Sequence, residues 1–184
     1  VYHPRGWVTS STDAGGTTYF AHDNAGNVIS TTSPASQITT YEVDELHRVT
    51  KTTLPSTLYT QTTFDALGNV ATFRGLDGLV TKYYHDALNR VTSMTEAFGT
   101  AAARTTTYDH DQVGNVTKAW DYLGKLTEYV RDELDRLTKV IDPLLNEIER
   151  VYDKVGNLLS IEDATNQVTN FVYNALNQLT KTTD

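Results

Sequence analysis

Aspartates recur at a fixed spacing along this sequence, and carboxylates are the groups that acid-base catalysts and calcium sites use. Asp23, Asp44 and Asp65 lie 21 residues apart, and the same frame continues as far as Asn174. One carboxylate every 21 residues supplies neither the close pair of an acid-base site nor the dense ligand run of a calcium loop. We therefore interpret these aspartates as turn residues, and we predict no catalytic or metal-binding residue among them.

The remaining reactive side chains give no catalytic pattern either. The five histidines are His3, His22, His47, His85 and His110. Their wide separation lacks the short spacing of a zinc site, although neighbouring strands could bring two of them together. The chain has no cysteine, no Gly-x-Ser-x-Gly elbow and no phosphate-binding loop. The sequence therefore predicts a protein that is not an enzyme and needs no cofactor.

Composition excludes some partners. Lys and Arg number 15 against 23 Asp and Glu, which gives a net charge of −8 and argues against nucleic acid as a partner. No run approaches the roughly 20 apolar residues of a membrane helix, so we expect no membrane insertion by this segment. The chain opens at Val1 without an initiator Met, and we expect it to be a fragment of a longer protein.

The elements that carry the aspartates form a tandem repeat over residues 1–184, which we predict to be a single continuous array. The interval of 21 residues is broken once, by 25 residues between Asp86 and Asp111, which predicts a longer loop near residues 99–104. Each unit has two Thr-, Tyr- and Val-rich runs of about five residues, separated by turns. The fold class predicted is all-β: antiparallel β-hairpins with about sixteen strands, in a sheet that must curve or spiral.

The first turn of each unit has a characteristic composition. The position three residues after the aspartate, or anchor, holds residue types that tolerate positive φ, which favours a type I turn followed by a left-handed bulge residue. Gly and other residues alternate there, and Asn and Arg alternate at the next position, so a 42-residue period is superimposed. The predicted structural turn residues are Asp23, Gly26, Asp44, Asp65, Gly68, Asp86, Asn89, Asp111, Gly114, Asp132, Asp153, Gly156 and Asn174.

Three further sets of equivalent positions in the repeats, which we call columns, predict packing between hairpins. The apolar residues two and five positions after each anchor are expected to be the buried contacts, and the rings three positions before it are expected to form a stacked ladder. The first column is Ala25, Leu46, Leu67, Leu88, Val113, Leu134, Val155 and Leu176, and the second is Val28, Val49, Val70, Val91, Val116, Leu137, Leu158 and Leu179. The rings are Phe20, Tyr41, Tyr83, Tyr108, Tyr129 and Phe171.

The segments Phe64–Val70, His85–Val91 and Tyr152–Leu158 resemble YD repeats, also called Rhs repeats, and the resemblance covers essentially the whole chain. Members of this family include bacterial Rhs toxins, the B and C components of Tc toxins, and teneurins. The resemblance implies that the hairpins form part of a hollow β-shell that encloses a C-terminal toxin domain. It also implies a secreted, cell-surface or otherwise exported effector.

The leading functional hypothesis is thus a structural segment of an encapsulating β-shell, whose partners are neighbouring repeats and an enclosed toxin domain. An extracellular carbohydrate-binding or adhesion surface is the alternative, because exposed Tyr and Asn side chains could stack on sugars and hydrogen-bond to them. An enzyme is the third and weakest hypothesis.

Overall fold

The computed structural model describes residues 1–184 and contains β-strands and turns without any α-helix. It therefore has no helix long and apolar enough to cross a membrane. The strands are β1 Ser10–Asp13, β2 Gly16–His22, β3 Val28–Thr32, β4 Ile38–Val43, β5 Val49–Thr53, β6 Tyr59–Phe64, β7 Val70–Arg74, β8 Val80–His85, β9 Val91–Glu96, β10 Arg104–His110, β11 Val116–Trp120, β12 Leu126–Arg131, β13 Leu137–Ile141, β14 Glu147–Tyr152, β15 Leu158–Glu162, β16 Val168–Tyr173 and β17 Leu179–Thr183. The all-β class is confirmed, with seventeen strands rather than about sixteen.

The chain divides into two compact units. The first contains Val1–His85 and Thr95–Ala103, and the second contains Asp86–Met94 and Arg104–Asp184. Strands β1 to β8 belong to the first unit, β10 to β17 belong to the second, and β9 has residues in both. The continuous array over 1–184 stays a prediction.

Within each unit, consecutive strands pair antiparallel. In the first unit the meander contains β1 to β8, and Thr12 of β1 lies opposite Thr17 of β2. In the second unit a meander of the same kind contains β10 to β17. Seven hairpins closed by a first turn have an irregular register just before the anchor, as between Ala21 and His22. This is the bulge that a three-residue connection with a left-handed residue produces. The loop predicted near 99–104 occupies residues 97–103, because β10 begins at Arg104.

The predicted core column two residues after the anchors is wrong. No hydrophobic side chain in the chain is fully buried, and the Leu and Val members of this column are 66–76% exposed, among them Leu67 and Leu134. This position is the middle residue of a three-residue turn, so its side chain lies beyond the ends of the strands that could cover it. The column five residues after the anchors is half-buried at most positions, but Val49 and Leu179 are exposed.

Within each unit, the predicted ladder of stacked rings is also wrong. The ring pairs within the units are His3 with Trp7 and Trp7 with His22, and neither belongs to the ladder. The ladder position falls on alternate strands, so consecutive members lie two strands, or about 10 Å, apart. Between Phe20 and Tyr41 a threonine occupies the intervening strand: Thr31 lies opposite Phe20, and its hydroxyl is 3.3 Å from that of Tyr41.

Candidate functional site

The sheet of the first unit has two chemically different faces. One face, which we call the aromatic face, presents Phe20, Tyr41 and Phe64 among threonines such as Thr52. The opposite face, which we call the charged face, presents other residues of the same strands. Its members include Glu42, Lys51, Arg74 and Lys82, and Lys51 Nζ contacts Glu42 Oε1 at 2.7 Å. The alternation of side chains along each strand produces this separation.

The second unit has the same division of its faces. Its aromatic face carries Tyr129, Val140 and Ile148 in one row across three strands. Arg131 and Arg150 also lie on this face, and Arg131 Nε and Arg150 Nη1 are buried there without a hydrogen-bond partner.

The charged face of the second unit centres on Lys139. Its Nζ lies 2.6 Å from a carboxylate oxygen of Glu147 and 2.6 Å from one of Glu149. The hydrogen bonds that Lys139 donates to these two carboxylates raise its pKa above the usual range. A second pair, Lys118 and Glu128, lies at 3.6 Å on the same face. This face therefore carries paired charges in contact with solvent, together with exposed valines such as Val130 and Val151.

Each first turn is organised by its anchor. In the turn of Asp23, the side-chain oxygen Oδ1 accepts hydrogen bonds from the backbone N–H groups of Ala25 and Asn27, both at 2.9 Å. The backbone N–H of Gly26 donates to the carbonyl of Asp23 at 3.2 Å, and that of Asp23 donates to the carbonyl of Asn27 at 3.0 Å. The Oδ1 and backbone bonds recur at Asp44, Asp65, Asp86, Asp111, Asp132 and Asp153.

The last anchor keeps the same turn with a neutral side chain. Asn174 Oδ1 accepts from the N–H groups of Leu176 and Gln178 at 2.9 and 3.0 Å. Its amide nitrogen donates to Gln178 Oε1 at 2.9 Å, whereas Oδ2 of the aspartate anchors accepts from an Asn or Arg. In this turn the anchor is therefore the donor and the residue four positions later is the acceptor, which reverses the roles found at the aspartate anchors.

These hydrogen bonds favour the ionised carboxylates. The side-chain bond from Arg90, followed by its backbone bond, lowers the pKa of Asp86 to about 2. The side chain of Asn27 has the largest effect at Asp23, and the backbone N–H of Arg48 has the largest effect at Asp44; both pKa values are lowered. At Asp65 desolvation opposes the shift and is the largest single effect, but the bonds from Asn69 and Leu67 together still lower the pKa.

Side chains four residues after the anchors connect neighbouring first turns, in two different ways. The first kind is an arginine. Arg90 binds Asp86 Oδ2 through Nε and Nη2, both at 2.7 Å, and its Nη1 donates to the carbonyl of Asp111 in the next hairpin at 2.7 Å. Arg136 contacts Asp132 and the carbonyl of Asp153 in the same way.

The second kind is an asparagine. Asn157 donates from Nδ2 to Asp153 Oδ2 at 2.7 Å and to Asn177 Oδ1 of the next hairpin at 3.0 Å. Asn115 contacts Asp135 in the same way at 3.1 Å. The sequence predicts that successive hairpins alternate in kind, but these contacts between turns are visible only in the structure.

Trp7 packs against the first turn of Asp23, and the sequence did not predict this contact. It lies four residues after His3, in the position that Asn or Arg occupies in the later units, and this register is the signal that could have identified it. Its ring stacks on His3 at 5.1 Å, lies 5.5 Å from His22 and covers Gly26. A shallow depression of about 340 Å³ adjoins it, but the rings already pack against one another there.

No group of three or more His, Asp or Glu side chains is arranged to hold a metal ion. An acidic depression of about 400 Å³ is bordered by Glu147, Glu149 and Glu162, and Lys139 contacts the first two. The predicted turn residues all lie at first turns, where they bond locally and to adjacent turns rather than converging on one point.

The fold and its turns define a tandem β-hairpin repeat protein. The RHS repeat profile matches residues 2–38, 22–58, 64–101, 110–144 and 152–184, so the chain belongs to the RHS repeat family. No curated protein matches the chain.

Solved toxin structures share the fold. A structure of the Photorhabdus luminescens Tc holotoxin pore aligns at 17% identity with a TM-score of 0.70, covering 85% of this chain and 10% of that one. TcdB2-TccC3-TEV aligns at 16% identity with a TM-score of 0.74, covering 97% and 10%. TcdB2-TccC3 without its hypervariable C-terminal region aligns at 16% with a TM-score of 0.71, covering 95% and 10%. This chain thus spans about one tenth of the length of these structures.

Proposed function

We propose that residues 1–184 form one continuous section of the wall of a hollow β-shell, and that the complete protein is an exported toxin whose cargo is a polypeptide. The section has no enzymatic activity and contributes a passive barrier. Membership of the RHS repeat family and the fold shared with Tc toxin assemblies support this function.

The contrast between the two faces is the observation that carries the proposal. The sheet buries no hydrophobic side chain by itself, yet one face is rich in Phe and Tyr. A sheet with an apolar face is stable in water only if another layer covers that face. The charged face, with ion pairs such as Lys139–Glu149, is suited to solvent. The aromatic face would therefore line the interior and contact the enclosed polypeptide.

Neighbouring threonines on β5 give a matched test of this orientation. Thr52 lies on the aromatic face and Thr53 on the charged face, and both are half-buried in the sheet. This chain contains no cysteine, so T52C and T53C each introduce one thiol into it. In the intact complete protein we expect a membrane-impermeant maleimide to modify T53C quickly and T52C slowly, while both react equally after denaturation.

Equal labelling of the two variants in the intact particle would contradict the assignment of the faces. Cryo-electron microscopy of the same complete protein tests enclosure itself, because the proposal requires density inside a closed wall. An open array without internal density would overturn the container function.

Carbohydrate binding is the second candidate, and exposed tyrosines favour it. Tyr19 and Tyr84 are 57% and 45% exposed, and Tyr122, in the turn between β11 and β12, is 51% exposed. Rings of this kind can stack on sugars. Binding of the intact protein to a glycan array, lost in Y84A and retained in Y84F, would favour this function over the container.

A further inference from the structure

The first turns present two kinds of surface to their neighbours, distinguished by the residue four positions after the anchor. Hairpins anchored by Asp44, Asp86 and Asp132 carry Arg there, and we call them Arg-type hairpins. Hairpins anchored by Asp23, Asp65, Asp111 and Asp153 carry Asn, and we call them Asn-type hairpins. The two kinds alternate without exception over these seven hairpins, so each hairpin is followed by one of the other kind.

The backbone differs between the two kinds at the left-handed position. The glycines of the Asn-type turns have φ values of +94°, +89°, +104° and +99°. The non-glycine residues of the Arg-type turns, His47, Asn89 and Asp135, have φ values of 62–63°. The first range lies outside the left-handed well near φ +57° that Asn and Asp tolerate, whereas the second lies inside it. The glycine is thus tied to a particular turn geometry.

The long residue of one turn approaches the glycine of the next turn at two of the three Arg-type junctions, whereas a Cβ at Gly156, in the turn after Arg136, would have nothing within 4 Å. A Cβ at Gly68 would lie 3.3 Å from Arg48 Nη1, and a Cβ at Gly114 would lie 3.8 Å from Arg90 Cδ. Trp7, which occupies the Arg position of the first partial unit, lies still closer: a Cβ at Gly26 would be 2.7 Å from its ring.

The shorter asparagine requires the opposite. Asn157 reaches the side chain of Asn177 at 3.0 Å, and Asn115 reaches that of Asp135 at 3.1 Å. Asn27 Oδ1 lies 2.9 Å from His47 Nδ1; because Asn27 Nδ2 donates to Asp23, the oxygen faces His47 and accepts its N–H. A glycine in the next turn would remove these bonds.

We infer that the residue four positions after one anchor and the residue three positions after the next anchor form a matching pair that determines which hairpin can follow which. An Arg-type hairpin fits a neighbour with glycine, and an Asn-type hairpin fits a neighbour with a polar side chain. The unit that this interface specifies is therefore a pair of hairpins, 42 residues long, rather than the single 21-residue hairpin.

The interrupted spacing supports this inference independently. The anchors Asp86 and Asp111 are 25 residues apart, and the additional residues lie in the loop 97–103. Arg90 nevertheless donates to the carbonyl of Asp111 at 2.7 Å, the same distance at which Arg136 contacts Asp153 across a regular interval. The contact between neighbouring first turns is therefore kept even where the interval between their anchors is 25 rather than 21 residues.

A double-mutant cycle on the full chain tests the pairing. R48N and G68N each create a mismatch, whereas R48N/G68N recreates an Asn beside a polar residue, as at Asn157 and Asn177. We expect the double variant to melt about 2 °C or more above the temperature given by adding the two single shifts. The control cycle, R48N with G114N, makes the same kinds of substitution in turns that are not neighbours, and its shifts should add.

Additive shifts in both cycles, with the variants folded by circular dichroism, would overturn the inference. Equal non-additivity in the two cycles would overturn it as well, because coupling would then not depend on adjacency. If R48N/G68N does not fold, the reverse conversion N157R/N177G, which creates an Arg beside a glycine, provides the same comparison with N157R/N89G as control. Failure of the reverse double variant to exceed additivity would likewise reject the pairing.

Discussion

Replacing Gly26 by alanine perturbs the closest approach between neighbouring turns, and replacing Gly156 provides a matched comparison. Both glycines have strongly positive φ, +94° and +99°, so both alanines carry a similar backbone penalty of about 1–3 kcal/mol. A Cβ at Gly156 would meet nothing within 4 Å, but a Cβ at Gly26 would lie 2.7–2.9 Å from three ring atoms of Trp7. G26A must therefore also displace the indole, which adds about 1–3 kcal/mol.

Thermal unfolding followed by circular dichroism measures the two penalties. For a chain of this length a loss of 1 kcal/mol lowers Tm by about 2–4 °C, so G156A should melt about 2–12 °C below the parent and G26A lower still. Fluorescence in a W120F background, where Trp7 is the remaining tryptophan, reports the displacement directly. We expect the emission of Trp7 to change in G26A and to stay constant in G156A.

Two results would refute this reasoning. An unchanged Tm in G156A would mean that the turn does not impose the positive φ. Equal Tm losses in the two variants, with unchanged Trp7 emission, would mean that the indole does not press on Gly26. The G26S variant, which also adds a Cβ, should reproduce the emission change of G26A.

Three other outcomes are expected. Aspartates whose pKa is lowered by folding stabilise the folded chain above their unfolded pKa of about 3.9. The free energy of unfolding should therefore fall as the pH drops from about 4 to about 2, the folded pKa of Asp86. In acid titrations of unfolding, D86N should reduce this pH dependence. L67S and L134S should change the free energy of unfolding by less than about 0.5 kcal/mol in urea, because both side chains are exposed; a larger loss would contradict their position at turn tips. Y152F should cost about 1 kcal/mol in the same assay, since it removes the hydrogen bond that Tyr152 donates to the carbonyl of Leu137 at 3.1 Å; no loss would argue against that bond.

Local chemistry made much of the fold predictable. The 21-residue spacing, the Thr-, Tyr- and Val-rich runs and the residues of the first turns indicated antiparallel hairpins, and the interval between Asp86 and Asp111 indicated the long loop. These features depend on residues close in sequence, because a turn is closed by its own backbone and by an anchor such as Asp153. The alternation of Asn and Arg was also visible in the sequence, but the residues that these side chains contact in the next hairpin were not.

Packing was not predictable in the same way. Leu67 is an apolar residue in a regular column, but its exposure depends on its place at the tip of a turn, where no second layer covers it. Phe20 and Tyr41 do not stack, because register places a threonine strand between them.

The sequence established the hairpins and their order, since period and turn chemistry are local properties of the chain. Tertiary structure alone decided which side chains meet across neighbouring strands and turns. Arg48 and Gly68 are 20 residues apart, and only the registered stacking of their hairpins brings the guanidinium to the next turn. Contacts of this kind depend on two features of the sheet, the separation of about 4.8 Å between neighbouring strands and the bulge before the anchor. The spacing of residues along the sequence does not encode either feature.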